Sequence, residues 1–219
     1  MEFNQILAER WSCREFEDRE VPEATLREMF TLAQRTASWC NTQPWTTYLL
    51  SGQARERLAK ALVESVIAGG GGADLPMPEK YVGVYQDRRR GAGYALYESL
   101  GIAREDREAR DAQMLKNFSF FGAPHVAIVV TDANQGTYGA IDCGGYVANL
   151  LNAAHSLGVA TIPQAAVAMQ SPVVREVLDL PADQLVVCAV SIGYAVADHP
   201  VNQFRTSRAS VDDAVVFVR

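Results

Sequence analysis

Two long, mainly apolar segments constrain the fold of this chain more than any other feature of its sequence. Residues 126–131 have the sequence Val-Ala-Ile-Val-Val-Thr, and residues 184–192 form a second run that Gly193 ends. Apolar runs of this length are typical of strands that are buried inside a sheet. A third strand is predicted over residues 46–50, because β-branched and aromatic side chains fit a pleated surface.

Apolar residues at helical spacing predict the elements that cover these strands. Leu26, Met29, Phe30 and Ala33 recur at i, i+3, i+4 and i+7 and predict a helix over residues 22–36. Strands and helices do not alternate regularly as β-α-β units, so the sequence predicts an α+β fold with helices around a sheet. Further helices are predicted over residues 2–11, 53–67, 139–157 and 172–179.

The length and composition of the chain favour one domain with two appended segments. The 219 residues, of which 48% are hydrophobic, suffice for a single domain over residues 1–219. A helical insert over about residues 73–116 mixes arginines with acidic residues, which favours a solvated surface. An extended arm over about residues 195–219 ends in the apolar run Val215–Val218, which needs a surface to pair with.

Charge, hydropathy and cysteine spacing exclude several classes of protein. A net charge of −6 offers no basic surface for nucleic acid. No apolar run approaches the roughly 20 residues that cross a bilayer, and the N-terminus lacks the pattern of a signal peptide. We therefore expect a cytoplasmic protein with neither a membrane nor a nucleic-acid partner. The cysteines are too widely spaced to predict a metal site and are expected to be reduced: Cys13, Cys40, Cys143 and Cys188.

The sequence contains none of the motifs that mark a self-sufficient catalytic site. It lacks the glycine pattern of a resident dinucleotide site, a phosphate-binding P-loop, a hydrolase nucleophile elbow and a zinc-protease motif. The three histidines, His125, His155 and His199, are isolated in the sequence. No side chain is therefore assigned as catalytic, and if the protein is an enzyme, a cofactor carries the chemistry.

Two arginine-containing clusters are suited to a phosphate group. Arg10, Ser12 and Arg14 lie at i, i+2 and i+4, which puts them on one side of an extended segment. Arg205 and Arg208 flank two hydroxyl residues in the C-terminal arm and form a second candidate anion clamp. Many helix ends carry R-x-S-x-R, so the alternative interpretation of the first cluster is a solvated helix terminus.

A third cluster, residues 37–45, has the sequence Ala-Ser-Trp-Cys-Asn-Thr-Gln-Pro-Trp and lies between a predicted helix and a predicted strand. The amides of Asn41 and Gln43 can both donate and accept hydrogen bonds, as the edge of a flat heteroaromatic ring requires. The alternative interpretation is an ordered loop in which Trp45 belongs to the core.

The three clusters together resemble the FMN-dependent nitroreductase family. The motifs are R-x-S-x-R-x-F from Arg10, N-x-Q-P-W from Asn41, and R-x-x-R from Arg205, after a Gly-Tyr pair. Their order and spacing agree with the family across nearly all the chain. The insert, with Leu-Tyr-Glu from Leu96 and Phe-Phe-Gly-Ala-Pro from Phe120, resembles the branch that reduces nitrobenzoates and other nitroaromatics.

This resemblance implies a homodimer with two FMN sites at the subunit interface and an exchanged C-terminal arm. Residues 10–14 and Arg208 would surround the FMN phosphate. The loop from Ser38 would lie against the flavin of the partner subunit, and the backbone from Pro163 would face the reactive edge of the flavin ring. Trp39 and Cys40 are candidate contacts for the aromatic substrate. The cofactor-binding residues implied are Arg10, Trp11, Ser12, Arg14, Ser38, Trp39, Asn41, Gln43, Pro163, Gln164, Ala165, Arg205 and Arg208.

The activity implied is NAD(P)H-dependent reduction of nitroaromatic compounds, with hydride transfer through the flavin. Ala37 and Ala195 replace prolines that are common in the family, and Thr206 replaces a lysine of some members, which affects phosphate and substrate details. Three alternatives stay open: a reductive dehalogenase, another flavin oxidoreductase of the superfamily, and a non-catalytic flavin-binding protein. The sequence does not distinguish NADH from NADPH.

Overall fold

A four-stranded antiparallel sheet lies at the centre of the computed structural model, which describes residues 1–219 throughout. Its spatial order is β1-β2-β4-β3, so β2 and β4 are central and β1 and β3 are the edges. The α+β fold class predicted from the sequence is confirmed. The strands are β1 (Trp45–Ser51), β2 (His125–Asp132), β3 (Ala160–Gln164) and β4 (Gln184–Gly193).

Nine α-helices surround the sheet, and none of them is both long and apolar enough to cross a membrane. Short 3-10 turns cover Trp39–Asn41, Phe120–Gly122 and Ala133–Gln135. The helices are α1 (Phe3–Glu9), α2 (Glu23–Ala33), α3 (Gly52–Ile67), α4 (Val84–Ser99), α5 (Arg107–Leu115), α6 (Gly136–Ser156), α7 (Ala165–Ala168), α8 (Ser171–Leu178) and α9 (Pro200–Gln203).

The two apolar runs form the central strands because both of their faces are covered. Residues 126–130 are 0% exposed. Ala127 and Val129 pack against α2 and α6 on one face of the sheet. Val126 and Ile128, pointing the opposite way, pack against α3 and α8 on the other face. The predicted central strands are confirmed, and each extends by about one residue beyond its apolar run.

The strand β3 was not predicted from the sequence. It is short, and it contains Pro163, which cannot donate a backbone hydrogen bond to a sheet. Proline is tolerated here because β3 is an edge strand, paired with β4 on one side. The sequence did not predict this strand, because five residues that include a proline are too few to show the apolar pattern of a strand.

The insert contains α4 and α5 and packs loosely within the chain. No residue of α4 is buried, and Gln113 is the single buried residue of α5. The start of the insert is held firmly, since the Asp74 carboxylate accepts hydrogen bonds from Arg175 Nη2 at 2.9 Å and from Val186 N–H at 2.8 Å. The other end of this region leads directly into β2.

The C-terminal arm leaves the sheet after β4 and has no strand partner in its own chain. After α9 it contains one turn and no further helix or strand. Its terminal apolar residues are exposed, with Val216 and Val218 at 85% and 90%. The surface that this run needs is therefore not supplied within the chain.

A buried histidine at the start of β2 joins the end of β1 to the loop before α2. His125 Nε2 accepts a hydrogen bond from Val21 N–H at 2.9 Å, so the proton of the neutral ring lies on Nδ1 and is donated to Ser51 Oγ. Burial lowers the pKa of His125, with nearby Glu20 opposing the shift. A second proton would break the hydrogen bond to Val21.

This network predicts a loss of stability in mild acid. Below about pH 6.5 the unfolded chain protonates His125 while the folded chain resists it, so the free energy of unfolding falls as the pH drops. We expect His125→Gln to show a shallower fall between about pH 7.5 and about pH 5.5 than the wild type. Urea unfolding at both pH values measures the free energy of unfolding of each protein. An equal fall in this free energy for the two proteins would contradict the role of His125.

Candidate functional site

Four arginines meet at a cavity of about 360 Å³ between the N-terminal segment and the start of the C-terminal arm. They are Arg10, Arg14, Arg205 and Arg208, the same residues that the two phosphate motifs singled out. None of them forms an ion pair with a carboxylate of the chain. The remaining lining residues are uncharged: Leu7, Ala8, Trp11, Ser12, Phe204 and Thr206.

The N-terminal half of this cluster is positioned by the outer edge of β3. After α1 the chain runs alongside that strand, with Ser12 bridged to Thr161 and the Cys13 N–H donating to the Thr161 carbonyl at 3.0 Å. Phe16 then pairs with Ala195, just beyond β4. These contacts hold Ser12 and Arg14 beside the first residues of the arm.

The C-terminal half is shaped by contacts to aromatic rings and backbone carbonyls. The Arg205 guanidinium lies 4.5 Å from the centre of the Trp11 ring, and that of Arg14 lies 5.4 Å from the Phe204 ring. Arg208 Nη1 donates to Thr206 Oγ1 at 2.8 Å. Planar guanidinium groups oriented in this way still have free donors for an anion.

The positive charges of the cluster act on one another. Burial, and then the neighbouring Arg208, lower the pKa of Arg10, and burial lowers the pKa of Arg14. Like charges held together without a counter-ion destabilise the site. A bound anion with several acceptor oxygens, such as a phosphate monoester, would relieve this repulsion and use the free donors.

One further donor at the cavity has no partner. Trp11 Nε1 is buried and makes no hydrogen bond within the chain, and neither does His155 Nε2. The Trp11 and His155 rings meet edge-on, with centroids 6.1 Å apart. Because both of these nitrogens are inaccessible, the donors open to a ligand are the guanidinium groups and the hydroxyls of Ser12 and Thr206, a set that fits a phosphate-bearing cofactor.

The segment predicted to face the flavin ring follows along the same strand. Pro163 and Ala165 are exposed, but the Gln164 side chain is buried. Gln164 Nε2 donates to the Asn117 carbonyl at 2.7 Å, and its Oε1 accepts from Ser191 Oγ. The Gln164 amide is thus committed to the protein interior, so its predicted cofactor contact can come only from the backbone.

The loop over residues 37–45 does not line this cavity in its own chain. The 3-10 turn within it places three non-glycine residues at positive φ: Cys40 at 49°, Asn41 at 55° and Gln43 at 48°. Gln43 N–H donates to Ser38 Oγ at 2.9 Å. Such backbone conformations are costly for residues with a Cβ and cluster at binding sites.

The tryptophans at the two ends of this loop have different roles. Trp45 is buried and stacks on Tyr146, with ring centroids 4.8 Å apart. It belongs to the core, as the alternative interpretation of this loop expected. Trp39 is 59% exposed and meets Tyr138 of α6 edge-on at 4.4 Å. Its backbone N–H donates to Asp142 Oδ2 at 3.1 Å. Cys40 beside it is exposed, and a substrate contact of Trp39 or Cys40 stays a prediction.

Sequence reasoning gave no role to Asn202. It lies three residues before the R-x-x-R motif, of which only the arginines and hydroxyls pointed to an anion. In the structure Asn202 is buried and hydrogen-bonded to the N-terminal half of the cluster. No local pattern in the sequence signals such a contact, because its partners are 188 and 187 residues away.

Comparison with known proteins agrees with this geometry. The nitroreductase family profile matches residues 7–194. The chain is 34% identical to a 4-nitrobenzoate reductase of Nocardioides sp. (strain LMS-CY) over 221 residues, which cover 99% of this chain and 90% of the relative.

Two solved structures resemble the whole chain. The FMN-dependent nitroreductase NfnB from Mycobacterium smegmatis, in complex with NADPH, has a TM-score of 0.94 and 35% identity, covering 99% and 97% of the two chains. The FMN and NADPH-dependent nitroreductase NfnB from Sphigopyxis sp. strain HMH has a TM-score of 0.97 and 32% identity, with full coverage of both. The resemblance indicated by the sequence motifs is confirmed, and the chain belongs to the nitroreductase family.

Proposed function

We propose that this protein is an FMN-dependent oxidoreductase that uses NADPH to reduce nitroaromatic compounds. The observation that carries the proposal is the cluster of four arginines that no carboxylate of the chain neutralises. Its motifs are those of a family to which the chain belongs. Two relatives support the finer assignment, one an NfnB in complex with NADPH and the other a 4-nitrobenzoate reductase.

The arrangement assigns a separate task to each part of the site. Arg10, Arg14 and Arg208 would hold the FMN phosphate, with the Ser12 hydroxyl as a neutral donor. The backbone from Pro163 would lie along the isoalloxazine ring. When bound, FMN supplies the hydride chemistry, accepting a hydride from NADPH and passing it to the nitro compound.

The chain itself contributes binding, orientation and positive charge. The lining of the arginine cavity includes no carboxylate and no histidine, so no side chain there offsets the positive charge offered to the phosphate. Preorganised guanidinium groups and backbone N–H groups favour negative charge in the bound cofactor without reorganising. Protons for the nitro group are assigned to water.

The decisive experiment is anaerobic mixing of the FMN-loaded protein with NADPH. We expect the flavin colour to bleach, and added 4-nitrobenzoate to restore it over successive turnovers. A parallel assay with a halogenated phenol tests the dehalogenase alternative. A flavin colour that persists with both NADPH and NADH would contradict an oxidoreductase and leave a flavin-binding protein.

The phosphate assignment predicts the effect of removing single arginines. Arg14→Ala and Arg208→Ala should each remove a charge-assisted contact worth roughly 1.5–3 kcal/mol, which weakens FMN binding about ten- to a hundredfold. Titration of each apoprotein with FMN measures the affinity. Arg27→Ala, which alters an exposed pair with Glu23, is the control. Unchanged FMN affinity in both site variants would refute the assignment.

We also propose that the protein is a homodimer. On the long helix α6, Tyr138, Ile141 and Gly144 recur on one face with no covering element, and the first two are 56% and 58% exposed. A Cβ added at Gly144 would meet nothing in its own chain. An apolar stripe that ends in a glycine suits the close approach of a second α6.

The open edge of the sheet supports the same proposal. β1 pairs with β2 along one edge only, and a cavity of about 870 Å³ lies between α2 and one face of β1. The unpaired apolar run Val215–Val218 has the length and composition of an edge-strand partner. We place the arm of the partner subunit along this edge, which gives the exchanged arm that the family resemblance implies.

This interface predicts that sedimentation at low micromolar concentration gives about twice 23.9 kDa. Ile141→Arg should place a charge in the apolar stripe and shift the protein toward monomers with reduced FMN content. Ile67→Arg is the control, because Ile67 is also exposed, at the end of α3, which packs on the opposite face of the sheet. A wild-type monomer that retains FMN would contradict the dimer.

The loop motif predicts a role for Trp39 in substrate choice. Trp39→Ala should change the relative kcat/KM for different nitroaromatics, since an aromatic wall contributes about 0.5–1.5 kcal/mol to stacking, while reduction by NADPH is spared. Tyr138→Ala is the control, because Tyr138 shares the edge-on contact but lies outside the motif. Equal effects of both substitutions on dimer stability, with unchanged selectivity, would leave Trp39 a packing role only.

The cellular location is also proposed rather than observed. All four cysteines are free thiols, and a reducing compartment keeps thiols in this state. We therefore place the protein in the cytoplasm, where NADPH is available as the reductant.

A further inference from the structure

We propose that Asn202 is a positioning residue that holds the two halves of the arginine cluster at the spacing that a phosphate needs. The inference rests on the FMN site proposed above, but it assigns a role to a residue that neither the motifs nor the cavity lining include. Asn202 does not reach the cavity itself. Its effect on the cofactor is exerted through the residues that it contacts.

The Asn202 amide is fully used in the protein interior. The residue is 2% exposed and lies in α9, at the start of the arm. Its Oδ1 accepts a hydrogen bond from Arg14 N–H at 2.9 Å. Its Nδ2 donates to the Glu15 carbonyl at 2.8 Å and to the Val196 carbonyl at 2.9 Å. Both amide protons and one lone pair of the oxygen therefore have partners.

These contacts join both halves of the site at a single residue. The side chain fixes the backbone of Arg14 and Glu15, which belong to the N-terminal half. The backbone carbonyl of Asn202 accepts a hydrogen bond from Arg205 Nη1 at 2.8 Å, which orients a guanidinium of the C-terminal half. No other side chain is hydrogen-bonded to residues 14 and 15 from the arm.

A tether at this position is needed because the two halves repel each other. Arg208 contributes to the lowered pKa of Arg10, so their charges are close enough to interact unfavourably. Backbone pairing of Phe16 with Ala195, and of Val196 N–H with the Glu15 carbonyl, begins to join the segments earlier in the arm. Asn202 extends that connection to the point from which Arg205 and Arg208 leave.

Only an amide of this size satisfies all three hydrogen bonds. Alanine removes them, and serine is too short to bridge three backbone groups. Asparagine is therefore selected by the geometry, and the substitution Asn202→Ala separates positioning from charge because it leaves all four arginines in place.

The test compares FMN with riboflavin, which has the same ring and ribityl chain but lacks the phosphate. We expect Asn202→Ala in the full-length apoprotein to weaken FMN binding about tenfold or more, a change comparable to losing a charge-assisted contact. Riboflavin binding should change little, so the ratio of the two affinities falls. Flavin fluorescence titration measures both ligands, and Asn202→Ser, a milder change, provides the same comparison if the alanine variant does not fold.

The matched control is Gln170→Ala. Gln170 is also a buried amide, accepting from Ser65 Oγ at 2.9 Å and donating to the Gly70 carbonyl at 3.0 Å, but it lies beside α3 and α8. Its loss should lower the thermal stability of the apoprotein without changing the ratio of FMN to riboflavin affinity. This control therefore shows how a general loss of stability affects the ratio of FMN to riboflavin affinity.

A double variant tests whether Asn202 acts through the cluster. If it positions Arg208, the affinity ratio of Asn202→Ala/Arg208→Ala should be close to that of the worse single variant rather than the product of both effects. Equal weakening of FMN and riboflavin in Asn202→Ala, or fully additive effects, would overturn the positioning role. Failure of the proposed function is distinct, because the wild type itself would then bind FMN no more tightly than riboflavin.

Discussion

Holding four like charges together in a partly buried cavity is the constraint on which the candidate site depends. Arg10 and Arg14 are close to the N-terminus, whereas Arg205 and Arg208 are close to the C-terminus. Their mutual repulsion is opposed by backbone pairing and by buried hydrogen bonds between the two ends of the chain. The unfavourable free energy of bringing the arginines together is therefore offset when the chain folds, before any ligand binds. A bound phosphate then meets donors that are already oriented.

The two edges of the sheet serve different purposes. The outer edge of β3 is covered by the chain itself, since Ser12 and Cys13 lie beside Thr161 and bring the N-terminal arginines into place. The outer edge of β1 is left open beside the large cavity, and the apolar end of the arm is left without a partner. One edge thus builds the cofactor site within the chain, while the other is available to a second subunit, as the proposed dimer requires.

Periodicity in the sequence predicted the elements that have strong local signals. The runs that became β2 and β4, and the apolar spacing of α2, were sufficient because burial of a long apolar segment leaves few alternatives. The strand β3 was missed, since a short edge strand with Pro163 has no such pattern. The resemblance implies that the backbone at Gln164 faces the cofactor, and the Gln164 side chain points inward to Ser191, a placement that only the packing of β3 on β4 decides.

The sequence by itself determined which chemical groups are present and in what order: the arginines and hydroxyls of a phosphate site, the loop before β1, and an apolar arm without a local partner. Tertiary structure decided which of them meet. It joined Arg14 to Asn202 across 188 residues, buried Trp45 while leaving Trp39 exposed, and kept the residue 37–45 loop away from the arginines of its own chain. The physical reason is that hydrogen bonds and charge repulsion depend on distance in space, and local sequence patterns report distance only along an element.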